Sequence, residues 1–363
     1  MNDPLIQIRE EFPALKNNTY LNTASSGLLS KKVLEYRRQY DQEYFEKGFS
    51  FRKKCLDEAY ALKQLIGSTF HCGAEHIGLL PNFSWGMNAL AESLSDGRKV
   101  LLVHDDYPSL TLPFESRNFQ CFYMPTHPLN EETIVHAIEE NKPDIWAVSN
   151  TQWKDGAHIP AKVFKNIKNR FPGLFIIADA TQYLGTQPFH FDESGIDILL
   201  TSGYKWMLSG FGNGFVMTSQ NLDKQWKLKI KGNNTLMDRF FTGRNHPGQD
   251  WEPGHLDMLN FGSMKTALQQ LNEIGLDRIE KKINKLSITL KTGLVSMGFL
   301  SAGLLHDHMH RNILQIPGSW EWVKELNKND IEVAYRDGIR ISFHFYNTPD
   351  EIQRFLKALQ WMV

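Results

Sequence analysis

Two residues stand out for the chemistry they could do together. Asp179 closes the apolar run LFIIAD (residues 174–179), and Lys205 follows the next such run, IDILLTSG (residues 196–203). An amine set between an apolar run and Trp206, Met207 and Leu208 is partly stripped of water, which disfavours its ammonium form. A neutral lysine attacks carbonyl carbons and forms Schiff bases. A lone lysine is ordinarily a solvated surface cation, and a lone aspartate a helix cap or salt-bridge partner. The signal lies in the pair, because open α/β sheets bind ligands outside the carboxyl ends of their strands.

The elements that must deliver these residues are visible as short apolar runs at residues 100–104, 144–150, 174–180, 196–203 and 214–219, separated by helix-like stretches. The runs are apolar at consecutive positions, the pattern of a largely parallel sheet covered on both faces. Gly210, Gly212 and Asn213-Gly214 predict a tight turn that returns the last strand antiparallel. Beyond residue 261 long amphipathic stretches predict helices. Strands follow at residues 311–317 and 338–345, then a closing helix with Thr348 as its N-cap. The expectation is an α/β fold with a mostly parallel mixed sheet flanked by helices and a smaller C-terminal α/β domain. The large domain spans residues 20–250, and residues 1–19 join 251–363 in the small one.

The segment LFIIADATQYLG followed by IDILLTSGYKWMLSGFGNGF resembles the core signature of the class V aminotransferase family, fold-type-I enzymes that carry pyridoxal 5'-phosphate. The resemblance implies that Lys205 holds the cofactor as a Schiff base, that Asp179 pairs with its pyridine nitrogen, that Gln182 contacts its phenolic oxygen, and that Ser202, with Tyr204 close by, binds its phosphate. A carboxylate at the ring nitrogen keeps it protonated, so the ring can accept electrons from a bond broken at the substrate Cα. Lysine, once displaced, becomes the general base.

Other matches are local. Phe83 and Ser84 stand at a helix start suited to phosphate, although the family has a small residue and Thr there, and Phe83, Ser84 and Trp85 replace them. Tyr107, in DDYPS, matches the family's ring-stacking position, and Asn150 a strand-end polar contact whose role Gln152 and Trp153 could share. Gly254 and His255 match a segment that reaches a partner's phosphate across a homodimer interface, with His255 where the family usually has Thr. Arg340, alternating with Ile339 and Ile341, matches the arginine that grips the substrate α-carboxylate. The small-residue run YLNTASSGLL (residues 20–29) resembles the family's N-terminal loop near the substrate.

The 363 residues are 41% hydrophobic and 22% charged, with 40 lysines and arginines against 41 acids and a formal charge of −1. That composition suits a globular core and supplies no basic field for nucleic acid or anionic membrane. The N-terminus lacks a leader pattern and no apolar run spans a bilayer. Cys55, Cys72 and Cys121 are scattered, which suits a reducing, cytoplasmic setting. No strand–GxGxxG–helix unit surrounds Gly210 and Gly212, so dinucleotide binding is not expected. His306, His308 and His310 read as a hydrated edge strand rather than metal ligands. An amino acid substrate follows from the resemblance, with an aminotransferase ranked first, a carbon–sulfur lyase or epimerase-like enzyme second, and a non-catalytic cofactor-binding protein third. Desulfuration through an enzyme thiol is disfavoured, because no cysteine follows Cys121.

Overall fold

The computed structural model describes residues 4–220, 222, 227–235, 246–306 and 311–362. A short helix, Pro4–Arg9, and a 3-10 turn, Pro13–Leu15, precede the first strand, β1 (Thr19–Tyr20). Next come β2 (Ile77–Leu80), β3 (Lys99–Val103), β4 (Gln120–Met124), β5 (Ile145–Ser149), β6 (Phe175–Asp179), β7 (Ile198–Ser202) and β8 (Gly214–Thr218). These seven form one sheet in the order β2-β8-β7-β6-β5-β3-β4. Only β8 runs against the rest, pairing antiparallel with both β7 and β2. The cause is local: residues 203–213 are fewer than the dozen or so that a parallel crossover needs, and Gly210 and Gly212 take the positive φ values of 74° and 83° that a tight return requires.

Alternate residues of each central strand feed opposite cores. Leu101, Trp146, Ile176, Leu199 and Phe215 lie in one cluster, and Val100, Ile145, Ile177, Ile198 and Val216 in the other. Helix Phe83–Ser93 covers the second face through Phe83, Met87 and Leu90, and helix Ala161–Arg170 covers the first through Phe164 and Ile167. Each fully buried aliphatic side chain contributes about 1.5–3 kcal/mol, so strands packed on both faces make stiff rails for the residues at their ends. The strands β2 and β4 have no counterpart in the sequence reading. Both are edge strands: IGLL is short, and QCFYM mixes polar and apolar residues.

The amphipathic region past residue 261 resolves into two helices, Met258–Ile274 and Leu276–Ser296, separated at Gly275. The C-terminal strands β9 (Ile313–Ile316), β10 (Ile331–Glu332), β11 (Ala334–Tyr335) and β12 (Ile339–Ser342) follow. Of these β11, β12 and β9 form an antiparallel sheet, while β10 pairs in parallel with β1. The helix Pro349–Gln360 starts in a capping box between Thr348 and Glu351. The same glutamate takes a two-pronged contact from Arg9, Nη2 to Oε1 at 2.8 Å and Nη1 to Oε2 at 3.1 Å. The first residues of the chain are thereby tied to its last helix.

One expectation is corrected. His306 ends the 3-10 turn Ala302–His306 rather than lying in an edge strand; SAGLL has no β-branched residue to favour extension. His308 and His310 fall outside the described residues. Among the described residues no cluster of three or more His, Cys, Asp or Glu could hold a metal ion, and no helix is long and apolar enough to cross a membrane.

Candidate active site

The carboxyl ends of β2, β5, β6 and β7 and the loop after β3 converge on a cavity of about 230 Å³, lined by Asn82, Phe83, Ser84, Tyr107, Ser149, Trp153, Asp179, Thr181, Gln182, Ser202, Tyr204, Lys205 and Phe211. Eight of the expected site residues are among them: Phe83, Ser84, Tyr107, Asp179, Gln182, Ser202, Tyr204 and Lys205. The sheet register explains the meeting, because Ser149 and Asp179 are partners at the ends of β5 and β6.

Lys205 is 6% exposed. Its Nζ lies 5.4 Å from the ring centroid of Tyr107 and 5.5 Å from that of Tyr204. Burial pushes the amine below the ordinary lysine range, the positive charges of Arg340 and Arg336 push the same way, and Asp179 opposes them. Burial likewise raises Asp179 above the ordinary carboxyl range, opposed by hydrogen bonding from Thr181 and the charge of Lys205. The Thr181 N–H donates to Asp179 Oδ1 at 2.8 Å. Backbone sterics fix the lysine as well. The Gly27 N–H donates to the Tyr204 carbonyl at 2.8 Å, and a Cβ on Gly27 would stand 2.0 Å from the Lys205 carbonyl oxygen. Only glycine fits there.

At the other end of the cavity the helix Phe83–Ser93 presents its N-terminus. Asn82, and not Ser84, is its N-cap, accepting the Trp85 N–H at 2.8 Å. The Phe83 N–H donates to Ser202 Oγ at 2.9 Å, and the Ser84 hydroxyl donates to Ser109 Oγ at 2.8 Å. Among the described residues the Ser84 amide has no acceptor, so the helix end can receive an anion.

Four expected residues do not line this cavity. Asn150 is fully buried behind it, its N–H donating to the Asp179 carbonyl at 2.9 Å, and neither polar atom of its side chain has a partner in the described structure. Arg340, 2% exposed, donates from Nη1 to the Trp153 carbonyl at 2.7 Å and from Nη2 to Ser25 Oγ at 2.6 Å, while its Nε has no acceptor. Gly254 lies outside the cavity, and His255 lines a separate one of about 690 Å³ beside Tyr40, Phe51, Cys55 and Lys63. Gln182 faces the site but is committed elsewhere: its amide oxygen accepts from Trp206 Nε1 at 2.7 Å and its amide nitrogen donates to the Ala24 carbonyl at 3.1 Å. Sequence reading passed over Asn82, Ser149, Thr181, Phe211 and the buried Asp106. Each adjoins a noted residue or ends a strand, which was the available signal.

The donor set suits one kind of ligand. A flat ring would meet Tyr107 and Tyr204, a protonated ring nitrogen would find buried Asp179, an aldehyde the Lys205 amine, and a phosphate the helix end at Ser84 and Ser202. The orphaned amide of Asn150 marks unfilled hydrogen-bonding capacity close by. A mixed sheet with these groups at its strand ends is the architecture of fold-type-I enzymes that use pyridoxal phosphate. Residues 19–318 match the family model described as Aminotransferase class-V, and the chain belongs to that family, whose cofactor is pyridoxal phosphate. It is 22% identical over 369 residues to the "Uncharacterized aminotransferase YcbU" of Bacillus subtilis, covering 97% of this chain and 96% of that one. It is 20% identical over 390 residues to a "Probable cysteine desulfurase" of Methanothermobacter thermautotrophicus, covering 97% and 96%. Among solved structures, the cystine C–S lyase C-DES, in complex with its reaction product cysteine persulfide, superposes with a TM-score of 0.87 at 18% identity, covering 96% of this chain and 98% of that one.

Proposed function

We propose that this class V enzyme acts on an amino acid, with pyridoxal phosphate attached through Lys205, and that its reaction is transamination. The observation that carries the reading is the buried pairing of an amine depressed by desolvation with the carboxylate of Asp179 in one cavity. When bound, the cofactor supplies an electron sink for a bond broken at the substrate Cα. The chain's own groups do the rest. Asp179 holds a proton at the ring nitrogen. Lys205, its basicity lowered, takes a proton from Cα near neutral pH and returns it to the carbon that must receive it for transfer of the amino group. Tyr107 and Tyr204 flank the amine in the cavity, with Phe211 stacked on Tyr204. Arg340, with an uncommitted Nε and no carboxylate partner among the ion pairs of the described residues, orients the substrate carboxylate from behind Trp153.

Gly254 and His255 lie away from Lys205 within one chain, which suits a homodimer in which each copy completes the other's phosphate site. Residues 20–250 would form the large domain and residues 1–19 with 251–363 the small one. Three free cysteines suit a cytoplasmic setting. A second reading, carbon–sulfur lysis, is supported by the likeness to the cystine C–S lyase C-DES; with no cysteine beyond Cys121, it would proceed without an enzyme thiol.

Holoenzyme incubated with amino acids and 2-oxo acids separates the two. Transamination aminates the 2-oxo acid in step with loss of the donor. Lysis releases ammonia or a sulfur product and leaves the 2-oxo acid unchanged. No turnover and no spectral response to any amine would defeat both.

A further inference from the structure

Asp106 has no part in the chemistry above, yet its carboxylate is 4% exposed and held on every side. Oδ1 accepts from Ser149 Oγ at 2.5 Å and from the Tyr107 N–H at 2.7 Å. Oδ2 accepts from the Ser149 N–H at 2.9 Å and from Gln152 Nε2 at 3.2 Å. Four donors saturate an ionised carboxylate, and none of the ion pairs of the described residues includes it.

Two of these bonds come from Ser149, the last residue of β5, one from the Tyr107 N–H in the loop after β3 that Asp106 shares, and one from Gln152 in the loop that leads from β5 to Trp153. The rings of Tyr107 and Trp153 meet edge to face, centroids 5.9 Å apart and planes at 70°, and both line the cavity. The Trp153 indole N–H donates to the Asp105 carbonyl at 3.0 Å, and its own carbonyl receives Arg340. One buried carboxylate therefore sets the spacing between the ring facing the Lys205 amine and the loop that holds Arg340.

We propose that Asp106 is a positioning residue, locking the Tyr107 loop to the Trp153 loop and so fixing the aromatic wall over Lys205. The proposal rests on the cofactor reading of the cavity. In Asp106→Asn the volume is kept but one acceptor oxygen becomes an N–H donor, so a buried donor among Tyr107, Ser149 and Gln152 loses its acceptor. With the loops unlocked, pyridoxal phosphate should bind about tenfold more weakly, and the visible circular dichroism per bound cofactor should fall, because that signal depends on how the ring is held by its asymmetric surroundings. Simple loss of stability would lower the melting temperature of the apoprotein and leave the dichroism per bound cofactor intact. Should the asparagine variant not fold, Ser149→Ala, which removes a single donor, is expected to lower the same signal with about threefold weaker binding. Wild-type dichroism and affinity in the folded variant would overturn the proposal. Wild-type protein that binds no pyridoxal phosphate would instead defeat the functional reading, and this inference with it.

Discussion

The imidazole of His344 and the main-chain carbonyl of Trp206 are hydrogen-bonded at 2.9 Å, joining the residue after Lys205 to the segment after β12. His344 Nδ1 accepts the Phe345 N–H at 2.8 Å. Nε2 must therefore carry the single ring proton and donate it to Trp206. Only neutral imidazole satisfies both bonds.

Acid should loosen this joint first. Burial lowers His344 to about 4 from an ordinary 6.5, and buried His158 behaves alike. Because the folded pKa lies below the unfolded one, stability is intact above about pH 6.5 and drains away as pH falls toward 4, by about 3 kcal/mol for each histidine at the acid limit. Melting temperatures recorded between pH 7 and 4 should fall less steeply for His344→Gln than for wild type, from a lower starting value. Parallel curves would refute the assignment.

Lys205→Ala should fold and lose the cofactor's covalent attachment. Borohydride treatment followed by peptide mapping should mark Lys205 in wild type only, and turnover should drop about a thousandfold or more. A labelled peptide elsewhere in wild type would displace Lys205 from its role.

In the apoprotein, the reactivity of Lys205 toward small aldehydes should rise with pH and level off well below the ordinary lysine value of 10.5, since its folded pKa is lowered. Competitive labelling of all lysines across a pH series reads this directly. A plateau at the same pH as surface lysines would contradict it.

Gly27→Ala places a methyl group against the Lys205 carbonyl oxygen. Overpacking at such a contact costs about 1–3 kcal/mol. A lower denaturation midpoint and reduced cofactor content are expected together. A variant with unchanged midpoint and full cofactor would mean that the loop at residues 22–28 yields freely.

Arg340→Lys should raise KM for the amino acid substrate about 10–100-fold with a smaller effect on kcat, as expected when a charge-assisted grip on the carboxylate is lost. An unaltered KM would remove Arg340 from substrate binding.

Much of this site was legible because its residues end strands. Asp179 and Ser202 terminate apolar runs, and a run buried on both faces is conspicuous in sequence. Lys205 follows directly. Arg340 was singled out by its alternation with two isoleucines, but it lies within β12 and does not line the cavity. Asp106 was not, since a carboxylate in a loop gains its meaning from Ser149 and Gln152, which only the sheet register brings near. Asn82 was hidden by Ser84, an equally good capping type two residues on. Edge strands β2 and β4 escaped because an edge needs neither length nor continuous apolarity.

The pairing of β1 with β10 also bears on how the protein is made. The loop that follows β1, with Gly27 pressed against Lys205, is anchored through contacts such as the Ala24 N–H to Ser342 Oγ, which span 318 residues. A ribosome releases the first partner long before the second exists. The nascent large sheet can form while its lysine lacks its innermost cover, so the surroundings of Lys205 are completed only after Ser342 has been made.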